Sequence, residues 1–74
     1  MRLSTRNQLA GTVAEITAGD AMAVVKVALE GGDTITSSIT REAAEDLGLE
    51  TGQHVVVLIK STDVALGVED GPGS

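Results

Sequence analysis

Neither an aromatic side chain nor a cysteine occurs in this chain of 74 residues, and these two absences constrain its fold more than any motif does. A domain of this size buries little surface and is only marginally stabilised by its own core, so a disulfide or a structural metal is the usual reinforcement. Without Cys there is no disulfide and no thiolate metal site, and with His54 as the single histidine a multi-histidine site within one chain is excluded as well. The core has to be built from Val, Ile, Leu and Ala, which bury less area each than Phe or Trp. With 42% of residues hydrophobic, oligomerisation is the expected source of the missing burial.

The pattern along the chain is mostly strand. Residues 9–17 hold small and β-branched residues (Gly11, Thr12, Val13, Ile16) and end at a Gly19-Asp20 turn. Residues 22–29 contain Val24, Val25 and Val27 and run into Glu30-Gly31-Gly32-Asp33, a hairpin signal. Residues 34–39 place Ile35 and Ile39 among hydroxyls. The period then changes. Residues 40–48 predict a short helix with Thr40 as N-cap, acidic residues near its start and Gly48 as its stop. Residues 55–59 (VVVLI) form a continuous apolar run, which predicts a strand buried on both faces. Residues 64–68 predict a fifth strand. Five short strands with one helix between the third and fourth is the order of a small, mainly β, OB-like barrel. In such a barrel only a partner subunit can cover the outer face of residues 55–59. No internal repeat or second domain is evident: residues 1–69 are expected to form the domain and 70–74, with Gly71, Pro72 and Gly73, a flexible tail.

Charge narrows the function. Eleven acids against five Lys and Arg leave a formal net charge of −6, and an acidic surface repels nucleic-acid phosphates and anionic lipid alike. No stretch approaches a membrane span, and the amino terminus lacks the apolar core of a signal peptide, so a soluble, cytoplasmic protein is expected. A small anionic ligand remains open, because its binding depends on local donors.

Three stretches concentrate such donors. Ser4, Thr5, Arg6, Asn7 and Gln8 open the chain; Ser37, Ser38 and Thr40 lead into the helix; Lys60, Ser61, Thr62 and Asp63 follow the most apolar strand. A tetrahedral dianion needs donors from several directions and some positive charge. Arg offers a planar fork, Lys a mobile point charge, and Ser or Thr short rotatable hydroxyls. A helix start adds unpaired backbone N–H groups. Each stretch also has a plain structural reading: Thr40 as a helix cap, Lys60 as a solvated charge, residues 61–63 as a turn, and Arg6 as a surface residue.

Four segments in order, STRNQLAG at 4–11, TITSSIT at 34–40, LGLETGQHV at 47–55 and IKSTDVALG at 59–67, resemble the molbindins, small molybdate- and tungstate-binding proteins built from the Mop, or TOBE-type, domain. The resemblance covers nearly the whole chain and implies a free-standing single Mop domain. It further implies an OB-like barrel assembled as a homo-hexamer, a trimer of dimers, that holds molybdate or tungstate between subunits with no other cofactor. By resemblance, Ser4 and Arg6 come from one subunit and Thr40, Lys60 and Ser61 from its neighbour. Ala43 stands where a hydroxyl residue is often found, which leaves its backbone N–H as the donor there. Asn7 and Gln8 are candidates for a second class of site. Metal enters only as the oxyanion.

The implied activity is reversible oxyanion binding for intracellular molybdenum storage or homeostasis, without catalysis. His54 has no nucleophilic Cys and no triad, and Asp46 and Asp63 lack the spacing of an acid–base pair. Two other readings compete. One is a structural or regulatory oligomeric module with no ligand. The other is an OB domain for single-stranded nucleic acid, which the absence of stacking aromatics and of a basic groove disfavours.

Overall fold

The computed structural model describes residues 6–69. Its longest strand, β1 (Asn7–Ala18), is the hub of a four-stranded antiparallel sheet. A hairpin turn at residues 19–21, closed by Gly19 N–H donating to Met22 O at 2.8 Å, leads to β2 (Met22–Leu29). The Gly31-Gly32 hairpin follows, with Gly32 at φ 103, a value that suits glycine alone, and leads to β3 (Thr34–Thr40). Helix α1 (Arg41–Leu47) comes next, then β4 (His54–Ile59). The strand order is β3-β2-β1-β4. The first half of β1 pairs with β4, from Asn7 opposite Ile59 to Thr12 opposite His54. The second half pairs with β2, from Gly11 opposite Leu29 to Ala18 opposite Ala23. A register shift between Val13 and Glu15 marks a bulge, and a bulge bends a strand and increases its twist. The sheet therefore curls into a half-barrel.

The helix begins and ends where the sequence predicts. Thr40 is extended and its Oγ1 accepts from the N–H of Ala43 at 3.1 Å, and Gly48 adopts the left-handed conformation at φ 62. Leu49 N–H then donates to Ala44 O at 3.2 Å, which satisfies a carbonyl at the helix end.

The concave face carries the core, and that core is small. Val13, Ala23, Val25 and Val27 are buried, with Ile16, Leu29, Ile39, Leu49, Val55 and Val57 packed against them. Gly11 lies where β1 crosses between β2 and β4, opposite Leu29 on one side and Val55 on the other. A Cβ on it would meet Val27 Cγ1 at 2.7 Å and Ala28 O at 2.8 Å.

Two expectations need correction. The fifth strand does not form: residues 61–63 make a 3₁₀ turn, and residues 64–69 follow with no ladder partner. Alternation of apolar residues at 64, 66 and 68 is a strand signal, but a strand also requires an edge to pair with, and no edge among the described residues takes the segment. Leu66 and Val68 are consequently 92% and 88% exposed. Nor is β4 buried on both faces. Val55, Val57 and Ile59 are half-buried, whereas Val56 and Leu58 on the opposite face are exposed. A single chain covers only the concave side. The predicted tail at 70–74 lies outside the described residues.

Gly11→Ala is expected to destabilise the fold by about 1–3 kcal/mol through overpacking against β2. Urea unfolding at fixed protein concentration checks this, and an unchanged midpoint would rule out so close a crossing.

Candidate functional site

The described donor residues fall at two ends of the sheet. At the first end, Asn7 and Ile59 form the last pair of the β1–β4 ladder, and Asn7 Nδ2 donates to Ile59 O at 3.1 Å. One step further along the two strands come Arg6 and Lys60, both exposed. Lys60 O accepts from Asp63 N–H at 2.9 Å, which folds residues 61–63 into the 3₁₀ turn and leaves Ser61 exposed beside Lys60. Antiparallel register thus gathers two cations and a hydroxyl from opposite ends of the sequence. Nothing in the two segments taken separately reveals this proximity.

At the second end Thr40 lies opposite Met22 and closes the β2–β3 ladder. Its hydroxyl oxygen is the helix cap, so the N–H of Ala43, expected as a ligand donor, is engaged with Thr40 instead. A hydroxyl that accepts this N–H still has its own proton to donate. Arg41 N–H donates to Ala21 O at 2.8 Å, and the guanidinium reaches Glu45 Oε1 at 3.0 Å and Gly19 O at 3.4 Å. An open depression of about 420 Å³ here is lined by Asp20, Ala21, Thr40, Arg41, Glu42 and Glu45. Three carboxylates against one guanidinium make this end net negative, and alone it repels a dianion.

The two ends cannot meet within one chain. β1 has 12 residues, and at about 3.3 Å per residue it separates them by on the order of 35 Å along its path. The long dimension of the molecule is 44 Å. Thr40 and the pair Lys60 and Ser61, which the resemblance groups on one subunit, lie at opposite ends of β1 in this chain. Arg6, Lys60 and Ser61 form one group, and Thr40 with Ala43 the other. Ser4 lies outside the described residues. Asn7, a candidate for a second site, spends its amide on the Ile59 carbonyl, while Gln8 is an exposed residue of β1 opposite Leu58. Sequence reading missed Arg41. Its spacing from Glu45 was a legible i,i+4 signal, but the link to Gly19 depends on the fold.

A second concavity has the opposite chemistry. It measures about 410 Å³, is open, and is lined by core aliphatics including Val13, Val25, Ile39, Val55 and Val57. It is the mouth of the half-barrel and offers no cationic group. Among the described residues no cluster of three or more His, Asp or Glu side chains is arranged to hold a metal ion, and no helix is long and apolar enough to cross a membrane.

The model of the TOBE domain family matches residues 3–66. A probable molybdenum-pterin-binding protein of Haemophilus influenzae is 39% identical over 69 residues, covering 93% of this chain and all of that protein. Among solved structures, a molybdate-binding protein from Sporomusa ovata superposes with a TM-score of 0.87 at 34% identity, covering 92% of this chain and 100% of the other. The cytoplasmic molybdate-binding protein ModG superposes with a TM-score of 0.88 at 48% identity, covering 93% of this chain and 49% of ModG. The chain belongs to the TOBE-domain family, and within it to the Mop proteins, or molbindins. This is a family of binding proteins and not a known family of enzymes.

Thr40→Val is expected to lower stability by about 1 kcal/mol with no oxyanion present, because it removes the cap acceptor, whereas Thr40→Ser preserves it. Thermal unfolding of the ligand-free protein is the check. Equal melting of all three proteins would refute the capping role.

Proposed function

We propose that this protein binds molybdate reversibly in a pocket shared between subunits, with Arg6, Lys60 and Ser61 supplied by one chain and Thr40 by another. By resemblance, Ser4 accompanies Arg6. The observation that carries this reading is the placement of the two donor groups at opposite ends of β1, a separation that only a second chain can close. The names of the relatives support the ligand. Exposed apolar side chains on the outer face of β4, Val56 and Leu58, and at Val64, Leu66 and Val68 support assembly, since burying them supplies stabilisation that the small core lacks. A homo-hexamer arranged as a trimer of dimers is the assembly we infer, with storage or homeostasis of molybdenum in the cytoplasm as the role.

The chemistry is recognition without covalent change. Arg6 and Lys60 together carry two positive charges, which match those of a dianion. Arg6 offers two parallel N–H donors, Lys60 a mobile ammonium, and Ser61 and Thr40 a hydroxyl proton each. Where the groups that face the ion act as donors, a fully deprotonated ion is favoured over hydrogen phosphate, whose proton needs an acceptor. Sulfate is deprotonated but smaller, so donors held at molybdate spacing under-coordinate it. Tungstate is nearly the same size as molybdate and binds in the same manner. Because the pocket belongs to two chains, ligand stabilises the assembly by mass action.

The capping bond of Thr40 favours one rival, a structural module whose hydroxyls serve only the fold. A melting temperature that does not rise with molybdate would support that rival. Arg6→Ala and Lys60→Ala are each expected to weaken molybdate binding by about 2–5 kcal/mol if they contact a buried anion. Isothermal titration calorimetry measures this, and unchanged affinity in both variants would remove the site. Equal affinity for sulfate would remove the selectivity. A mixing experiment addresses the sharing of the pocket. Lys60→Ala chains and Thr40→Ala chains, unfolded together and refolded, should regain a fraction of tight sites that neither has alone. Failure to regain any would place the whole site within one chain.

A further inference from the structure

The functional reading above leaves Arg41 without a role, although it makes more polar links than any other described cation. We propose that Arg41 is a positioning residue for the Thr40 half of the oxyanion site. In this reading it ties the first turn of α1 to the β1–β2 turn and so fixes where the Thr40 hydroxyl is presented.

Three links converge on it. Its backbone N–H donates to Ala21 O at 2.8 Å, its Nη1 donates to Gly19 O at 3.4 Å, and its Nε donates to Glu45 Oε1 at 3.0 Å. The side chain thus bridges the second turn of the helix and the hairpin turn, with the Thr40-Arg41 peptide between them. Packing does little of this work, because none of the seven helix residues is buried. Thr40 itself ends an edge strand, so among the described residues its far side has no neighbouring strand to hold it. The orientation of α1, and with it the capping bond that aims the Thr40 hydroxyl, depends on polar ties. The guanidinium is half-exposed and paired with Glu45, so its own charge is largely spent locally. An exposed ion pair of this kind contributes little to global stability. Its loss nonetheless misplaces a donor by enough to weaken a directional hydrogen bond.

This inference rests on the shared-pocket reading, and the test separates the two. Molybdate affinity is measured by calorimetry for the assembled wild-type protein and for Arg41→Met, Arg41→Lys and Lys60→Ala, alongside native mass and ligand-free melting temperature. Both Arg41 variants should bind about three- to tenfold more weakly, with mass and melting temperature close to wild type. Lysine is included because it keeps the charge but cannot hold Glu45 and the Gly19 carbonyl in one planar fork. Wild-type affinity in Arg41→Lys would overturn the proposal by showing that charge alone matters. Wild-type affinity in both variants would also overturn it, as would a loss of affinity accompanied by a loss of assembly. A wild-type protein that binds no molybdate would remove the functional reading itself. If wild type binds and only Lys60→Ala is impaired, the functional reading stands and the role of Arg41 falls.

Discussion

One strand serves two ladders, and the rest of the molecule follows from that. The first half of β1 is hydrogen-bonded to β4 and its second half to β2, with Gly11 and Thr12 shared between the two. A straight strand that paired on both sides along its length would give a flat sheet. The bulge between Val13 and Glu15 bends β1 where the partners change over, and curls the sheet around Val13, Val25 and Val27. A glycine suits the crossing because β2, through Val27, Ala28 and Leu29, occupies the space of a side chain. The same geometry sets the distance between the two donor groups, one at each end of this strand. Fold and site are therefore consequences of a single register.

The aliphatic composition has a structural consequence that a larger core would hide. With no ring to fill the mouth of the half-barrel, the concave face stays open, and apolar side chains remain on the outer face of β4 and along residues 64–68. Leaving this surface in water costs free energy that the four buried apolar side chains, Val13, Ala23, Val25 and Val27, cannot easily offset. Assembly resolves that deficit and, on the proposed reading, completes the anion site in the same step. Stability and binding then share one interface.

An acidic protein that holds an anion is not a contradiction once charge is located. The described residues place Arg6 and Lys60 together at one end of the β1–β4 pair, while Arg41 is held by Glu45 and Lys26 lies 3.6 Å from Glu15. Two cations are committed to local carboxylates, and two are left exposed beside each other. Net charge governs long-range repulsion of polyanions, whereas a small dianion in a shared pocket responds to the donors within a few ångströms.

Local signals were legible in the sequence because they involve neighbours along the chain. The cap at Thr40, the stop at Gly48 and the Gly31-Gly32 hairpin each follow from the conformational preference of one or two residues, and the structure places them where those preferences point. The donor stretches were legible too, as composition. Strand pairing was not. Residues 64–68 carry the right alternation and still form no strand, since pairing depends on an available edge. The continuous apolar run of β4 was taken for burial on two faces, but a single sheet covers one. The placement of the donors along the sheet was hidden for the same reason: only antiparallel register reveals that Lys60 follows the β1–β4 ladder next to Arg6 and that Thr40 lies at the far end of β1. By itself the sequence determined the class of fold, the ends of the helix and the kinds of donor available. The tertiary structure alone decided which donors are neighbours, because proximity in a sheet is set by ladder register between segments distant in the chain.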